Sequence, residues 1–449
     1  MSVRSFARLA AGILAPAWLL FSALPAQAEV NFRSITSPQG LEAWFVEDYT
    51  VPIVTLAFSF EGGSSQDPQD KLGLAALMTT LFDEGAGDLD SEAFQIRADE
   101  VGLEMGFGAS QDDISGFARM LSDEREGATE LLALAVQSPR FDPPALERMR
   151  SQSIAGLVSR SRDPNYAAGQ MWNRALFGDH PYGRPVEGTP DTLAAIGAED
   201  LQSLHRSVFT RASLKIGIVG ALDEKTAGEM IDAVFAALPE AGDVQPVTDA
   251  TLTFGQDLAV DYPLPQTRLN LAYPGVPETD PDFFAAYVMT ELLAGSNLLS
   301  RLNVEVREKR GLTYGVSGGL VTLKHADALT IGTATNPENV DQALDVIKST
   351  IADMAENGPD PSELERVKHY LIGAYAINQL GSSVSIAGAM VGQQVRGLPL
   401  DYVTERESLI SAVTAEDVQA VASRLFGEEP SLMLVGPGAQ ADEISSAQP

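Results

Sequence analysis

Cysteine is absent from the 449 residues, which excludes disulfides and every thiolate–metal site. Histidine is almost as scarce. His180, His205, His325 and His369 are the only four, and no two lie three or four residues apart, so no helix presents a histidine pair to a metal. Basic residues are outnumbered, 30 Lys and Arg against 62 Asp and Glu, for a formal net charge of −32. A surface this negative repels nucleic acid and anionic membranes. The carboxylates are scattered and form no Asp-x-Asp-x-Asp-Gly calcium loop. The chain shows no nucleophile–base pattern of its own. One long apolar run exists, "LAAGILAPAWLLFSALP", preceded by Arg4 and Arg8 and followed by Ala26-Gln27-Ala28. It reads as a secretory signal over residues 1–28, cleaved before Glu29. Pro16 and Pro25 interrupt it, which argues against a membrane anchor. The expectation is an exported, soluble protein with no membrane attachment after cleavage, periplasmic in a Gram-negative source.

What is present reads as one domain written twice. Strands "LEAWFVED" and "PIVTLAFSF" come first. Then comes a helix within "KLGLAALMTTLFDEGAG", whose Leu74, Leu77, Met78 and Leu81 share one face. A second helix, a hairpin turning at Gln111-Asp112, four further helices and a strand "SLKIGIVG" complete the first half. From about Asp257 the order restarts and closes on "SLMLVG". The two tails nearly match: Ala198-Glu199-Asp200 to Phe209 corresponds to Ala415-Glu416-Asp417 to Phe426, and each then runs to a strand ending in Val-Gly. This predicts an α+β fold of two homologous domains, 29–238 and 257–440, arranged as a half-clamshell. Each is a mainly antiparallel sheet with helices packed on one face. Residues 239–256 form the linker and 441–449 a tail.

Three stretches in this frame carry a resemblance: "GLAALMTTLFDEG", "DHPYGRPVEGTPDTLAAI" (179–196) and "GSNLLSRLNVEVREKRGLTYGVSGG" (295–319). Together they resemble the pitrilysin, insulysin and mitochondrial-processing-peptidase family of zinc peptidases, particularly its short bacterial two-domain members. Active members carry His-x-x-Glu-His on the first helix, two zinc ligands and a general base. Here, on a helix expected over 73–85, the ligand positions fall on Ala76 and Thr80 and the base on Thr79. A methyl and a hydroxyl cannot replace two imidazoles, and threonine is no base near neutral pH. The third ligand position falls loosely near Glu147, a solvated helix carboxylate that cannot hold zinc alone. His180, in the family's His-Pro turn, reads as structural.

The resemblance implies that Arg307 and Tyr314, seven residues apart across a helix-to-strand turn, are the family's substrate-binding pair. A guanidinium fork suits a carbonyl oxygen and a phenol suits a developing oxyanion. By residue type alone, Arg307 belongs to a solvated charge run and Tyr314 to strand packing; the motif context favours the pair, both pointing into the cavity between domains. The resulting expectation is a non-catalytic subunit of a periplasmic heterodimeric zinc endopeptidase. It holds no cofactor itself, its partner is a homologous zinc-bearing chain, and its substrate is a peptide. The alternative is a structural or peptide-binding relic with no peptidase partner.

Overall fold

The computed structural model describes residues 31–295 and 298–439. The signal segment 1–28 and the tail 441–449 lie outside the described residues. In the first half, β1 (Arg33–Thr36), β2 (Glu42–Glu47) and β3 (Ile53–Glu61) lead into helix α1 (Leu74–Thr79). A short ribbon of β4 (Gly85–Ala86) and β5 (Leu89–Asp90) and helix α2 (Ser91–Val101) come next. The hairpin β6 (Glu104–Ala109) and β7 (Asp113–Leu121) follows. Five helices complete the half: α3 (Arg125–Gln137), α4 (Pro143–Arg160), α5 (Pro164–Phe177), α6 (Pro190–Ala195) and α7 (Ala198–Val208). Strand β8 (Lys215–Gly220) and helix α8 (Glu224–Phe235) close it.

The second half runs β9 (Asp257–Asp261), β10 (Thr267–Pro274), α9 (Phe283–Ala294), β11 (Thr313–Leu323) and β12 (Ala326–Thr335). It then runs α10 (Val340–Asn357), α11 (Pro361–Gln379), α12 (Ser383–Val395), α13 (Tyr402–Ala412), α14 (Ala415–Leu425) and β13 (Ser431–Gly436). The first sheet has the order β1-β2-β8-β3-β7-β6 and the second β11-β12-β10-β13-β9. Reversed, the second repeats the first without its β1. In both, the late strand is parallel to the first of the repeat and antiparallel to the next. The duplicated α+β architecture is therefore present in the strand order itself.

Alternation along the strands sorts the two faces of each sheet. Val54, Leu56, Phe58 and Phe60 of β3 enter the first half's core with Ile216 and Ile218 of β8. The opposite face carries Thr55, Ala57, Ser59 and Gly217, and across part of it lies α12, a helix of the other half. A Cβ on Gly217 would sit 2.7 Å from the Ala387 carbonyl oxygen and 3.1 Å from the Met390 Cβ, so only glycine lets that helix approach. The exchange is reciprocal: Ala168 on α5 packs against Leu258, Met433 and Val435 on the outer face of the second sheet, with Trp172 and Ala175 beside it. Corresponding helices of the repeat thus cross over to cover each other's sheets.

Residues 239–256 have no regular structure, but they are strapped to the body. Gln245 N–H donates to Gln66 Oε1 at 2.8 Å, Ala250 N–H to the His325 carbonyl at 2.8 Å and Thr253 N–H to the Leu176 carbonyl at 3.0 Å. Composition without helix formers signalled the absence of structure correctly, but it carries no information about long-range backbone partners.

Candidate functional site

Helix α1 begins at Gly73, whose φ of +91° suits glycine. Asp67 is buried and caps the helix with its carboxylate, accepting from Gly73 N–H at 2.8 Å and Ala75 N–H at 3.0 Å. Burial pushes the Asp67 carboxyl up to about 7, against the pull of those backbone donors and the Arg184 charge. The helix expected over 73–85 ends at Thr79. Thr79 and Thr80 donate their hydroxyls back to the carbonyls of Ala76 and Leu77, each at 2.8 Å, a bonding habit that weakens helix continuation.

Ala76, Thr79 and Thr80 therefore present no metal donors beyond hydroxyls already engaged with the backbone. Glu147 points to solvent from α4, paired with Arg150 on its own helix. Among the described residues no three His, Asp or Glu side chains gather as a metal-ligand set. The residues present do not fit zinc.

The segment 179–196 explains how the helix is held. His180 caps a short turn: its Nδ1 accepts from Tyr182 N–H at 3.2 Å and its Nε2 lies 2.8 Å from the Thr248 carbonyl. Tyr182, fully buried, donates its phenol to Asp112 at 2.5 Å. Downstream, Thr192 donates to the Leu72 carbonyl at 2.8 Å, and Lys71 pairs with Asp200 at 2.5 Å. These bonds fix the entry into α1.

Asp67 gives this scaffold a pH signature. Folding raises its pKa from 3.8 to about 7, so the folded state binds more protons than the unfolded chain between those values. Its relative contribution to stability is fully present below about pH 4 and is lost as pH rises toward 7. Asn at this position does not titrate. The unfolding free energy of the protein minus that of Asp67→Asn should therefore fall by on the order of 4 kcal/mol between about pH 4 and about pH 8. Urea unfolding at the two pH values checks this; a difference that stays flat would show that Asp67 is not the proton-holding group.

The second group of residues is built by local irregularity. The helical side of the helix-to-strand turn is a π-helical turn, Asn303–Glu308, with Lys309 N–H donating to the Val304 carbonyl at 2.9 Å and Leu312 N–H to the Val306 carbonyl at 3.0 Å. Such turns hold one extra residue per turn and are frequent at functional sites. Buried Asn303 ties the turn to β11, donating to the Val316 carbonyl at 2.8 Å and accepting from Val316 N–H at 2.9 Å. Between Thr313 and Val316 the register of β11 slips against Thr335 and Thr333 of β12, a bulge that places Tyr314 and Gly315 out of the ladder. Thr313 Oγ1 lies 2.7 Å from Thr333 Oγ1, and Thr333 donates to the Gly315 carbonyl at 2.8 Å, bracing the bulge.

The consequence is that Tyr314 stands 87% exposed. In the adjoining charge run Lys309 and Arg310 both engage Glu305, at 2.6 and 2.7 Å. Arg307, half-buried, has no carboxylate oxygen within 4 Å among the described residues. The structure thus separates Arg307 from the solvated charge run.

Neither residue lines the cavity found between the halves. That cavity, about 980 Å³, is lined by Thr55, Ser59, Asp113 and Ser115 of the first sheet, by α12 and by the hairpin tip Leu323-Lys324. Tyr314 sits at the other end of β11, nine residues and roughly 30 Å from Leu323. Ala76, Thr79 and Thr80 line it no more than Arg307 does. Burial and the neighbouring Asp112 charge raise the Asp113 carboxyl in this cavity to about 6. The signals that build the Arg–Tyr presentation, Asn303, Thr313 and Thr333, were missed in sequence because each acts through a partner on another strand.

Comparison with known proteins places these features. Residues 44–190 match the family described as "Insulinase (Peptidase family M16)" and residues 195–371 match "Peptidase M16 inactive domain". An uncharacterized zinc protease of Streptomyces coelicolor is 24% identical over 425 residues, 90% of this chain and 89% of that protein. YmxG of Helicobacter pylori, named a non-peptidase homolog, is 23% identical over 80% of this chain and 83% of its own length. Among solved structures, a peptidase M16 inactive domain from Pseudomonas fluorescens superposes with a TM-score of 0.85 at 28% identity, covering 93% of this chain and all of that one.

Proposed function

This chain belongs to the insulinase-type peptidase family M16, as an inactive-type member, and from that we propose that it is the non-catalytic subunit of a heterodimeric zinc endopeptidase. In this reading its second half lends Arg307 and Tyr314 to the zinc site of a homologous partner chain, and its first half is scaffold. The observation that carries it is the exposure of Tyr314 on a braced bulge, seven residues after an arginine that has no carboxylate partner among the described residues. A phenol merely packing a strand needs no such device, whereas one donating to a substrate on another molecule must stand clear of its own fold. The distance of Tyr314 from the chain's own cavity supports presentation in trans. A peptide bound there receives the Arg307 guanidinium on a carbonyl oxygen. It receives the Tyr314 hydroxyl where negative charge develops on the scissile carbonyl.

The export signal at 1–28 sets the compartment in this proposal as the periplasm. The zinc belongs to the partner, so metal analysis of the purified chain should find far less than one zinc per chain, with no peptidase activity. Mixed with a homologue that carries His-x-x-Glu-His and is encoded beside it, the pair should cleave peptides in a chelator-sensitive reaction that neither chain performs alone. One tightly bound zinc on this chain, or a partner equally active without it, overturns the proposal. The printed name of the Helicobacter pylori relative, a non-peptidase homolog, favours a second reading, a peptide-binding relic; absence of any such active pair decides for it.

A further inference from the structure

A smaller cavity of about 480 Å³ in the second half is walled by α9, α11, α12 and α13 and adjoins the larger one, sharing Glu278, Gly388, Gly392 and Arg396 with it. Its lining includes Tyr287, Tyr375 and Tyr402 together with Arg406, Gln393 and Glu278. Neither Arg307 nor Tyr314 belongs to it.

Arg406 is 6% exposed. Its guanidinium carbon lies 4.5 Å from the centroid of the Tyr375 ring and 5.3 Å from that of Tyr287. Nη1 donates to the Leu371 carbonyl at 3.2 Å and Nη2 to the Tyr287 hydroxyl at 3.1 Å. A guanidinium has five N–H donors in a planar fork, so these two bonds leave most of the fork unused. No carboxylate oxygen among the described residues lies within 4 Å of it. The nearby Glu278 is already committed: Arg396 Nε reaches it at 2.6 Å and the Tyr402 hydroxyl donates to it at 2.8 Å. A buried cation with no counter-ion is costly, and buried charges are normally paired.

Gln393 supplies a second, independent observation. It is 1% exposed, and its Nε2 donates to the Tyr375 hydroxyl at 3.2 Å. Its Oε1 is buried with no partner among the described residues. Arg406 and Gln393 therefore touch the same ring, Tyr375, one on its face and one at its hydroxyl. The cavity offers an unmatched planar cation and an unmatched acceptor close together, between aromatic walls.

We propose that this cavity binds a ligand bearing a carboxylate beside an N–H donor: the free C-terminal residue of a peptide, or an amino acid. The carboxylate takes the open edge of the Arg406 fork, the pairing for which guanidinium geometry is best suited. The residue's own N–H donates to Gln393 Oε1, and its side chain lies among the tyrosines, where aromatic and aliphatic groups are equally at home.

Calorimetric titration of the full mature chain with acetyl-Ala-Phe, with its C-terminal amide and with free phenylalanine tests this. The free acid should bind at least about tenfold more tightly than the amide, since the amide forfeits a charge-assisted pair. Phenylalanine binding more tightly than the acetylated acid assigns the site to free amino acids, and the reverse assigns it to peptide ends; either supports the proposal. Gln393→Met, similar in volume, should weaken the acid about tenfold while the chain stays folded, since the loss of the Nε2 bond to Tyr375 is offset by removal of a buried unpaired oxygen. Equal binding of acid and amide, or no binding of any probe at millimolar concentration, overturns the proposal without recourse to an Arg406 variant, whose folding is at risk.

Discussion

In a reconstituted heterodimer, Tyr314→Phe should lower turnover about 100-fold while subunit association stays as it was. The substitution removes one hydroxyl and keeps the ring. Tyr314 stands 87% exposed on the bulge, so removal of its hydroxyl leaves the subunit's core untouched. A donor aimed at charge that appears only in the transition state affects turnover and leaves substrate affinity nearly untouched. Arg307→Ala should differ by raising the Michaelis constant as well, because a guanidinium on a peptide carbonyl binds the ground state too. Steady-state kinetics of the two reconstituted variants, beside a pull-down for assembly, separates these effects. Unmodified turnover in the double variant removes the trans-site role and leaves this chain as scaffold.

The contrast between what was and was not legible in the sequence follows from the range of the forces involved. β3 and β8 were legible because each is a short, nearly continuous β-prone run that one sheet buries. The duplication was legible because two tails repeat the same capped helix and strand. Helix α8 was missed, although its signals are local: Asp223 caps it, accepting from Thr226 N–H at 2.8 Å, and Ala227, Met230, Ile231 and Val234 form a buried stripe. The π-turn and the bulge are a different case. Their cause is the pairing of Thr313 with Thr333 and of Asn303 with Val316, specific bonds between elements that hydrophobic periodicity does not report. The crossing of α5 and α12 onto the opposite sheets was equally invisible, since an apolar helix face does not say which sheet it will meet. For the site itself, motif positions identified Arg307 and Tyr314 by type. Their place outside the lining of the chain's own cavity required the turn and the strand that carry them.

Gly188→Ala should cost several kcal/mol of stability. The glycine has a φ of +72°, and a Cβ there would sit 2.0 Å from the Leu72 carbonyl oxygen, inside the backbone of the segment that enters α1. The facing glycine is equally constrained: a Cβ on Gly73 would lie 2.6 Å from the Glu187 carbonyl oxygen. Two loops thus meet backbone to backbone, and the Thr192 hydroxyl closes the junction on the same Leu72 carbonyl. Left-handed strain accounts for roughly 1–2 kcal/mol of the cost, and forcing a methyl against immobile backbone adds about 1–3 kcal/mol. Gly102→Ala provides the control, since Gly102 has a φ of +59° but nothing within 4 Å of its virtual Cβ, so it registers the strain alone. Thermal and urea unfolding of both variants should place Gly188→Ala well below Gly102→Ala in midpoint. Equal midpoints would show that the loops can part at no cost. If the larger loss is found, it gives a physical reason for the segment 179–196 to survive in a chain whose α1 holds no metal ligands: it clips the helix entrance, and the core under Leu74, Leu77 and Met78 depends on that clip.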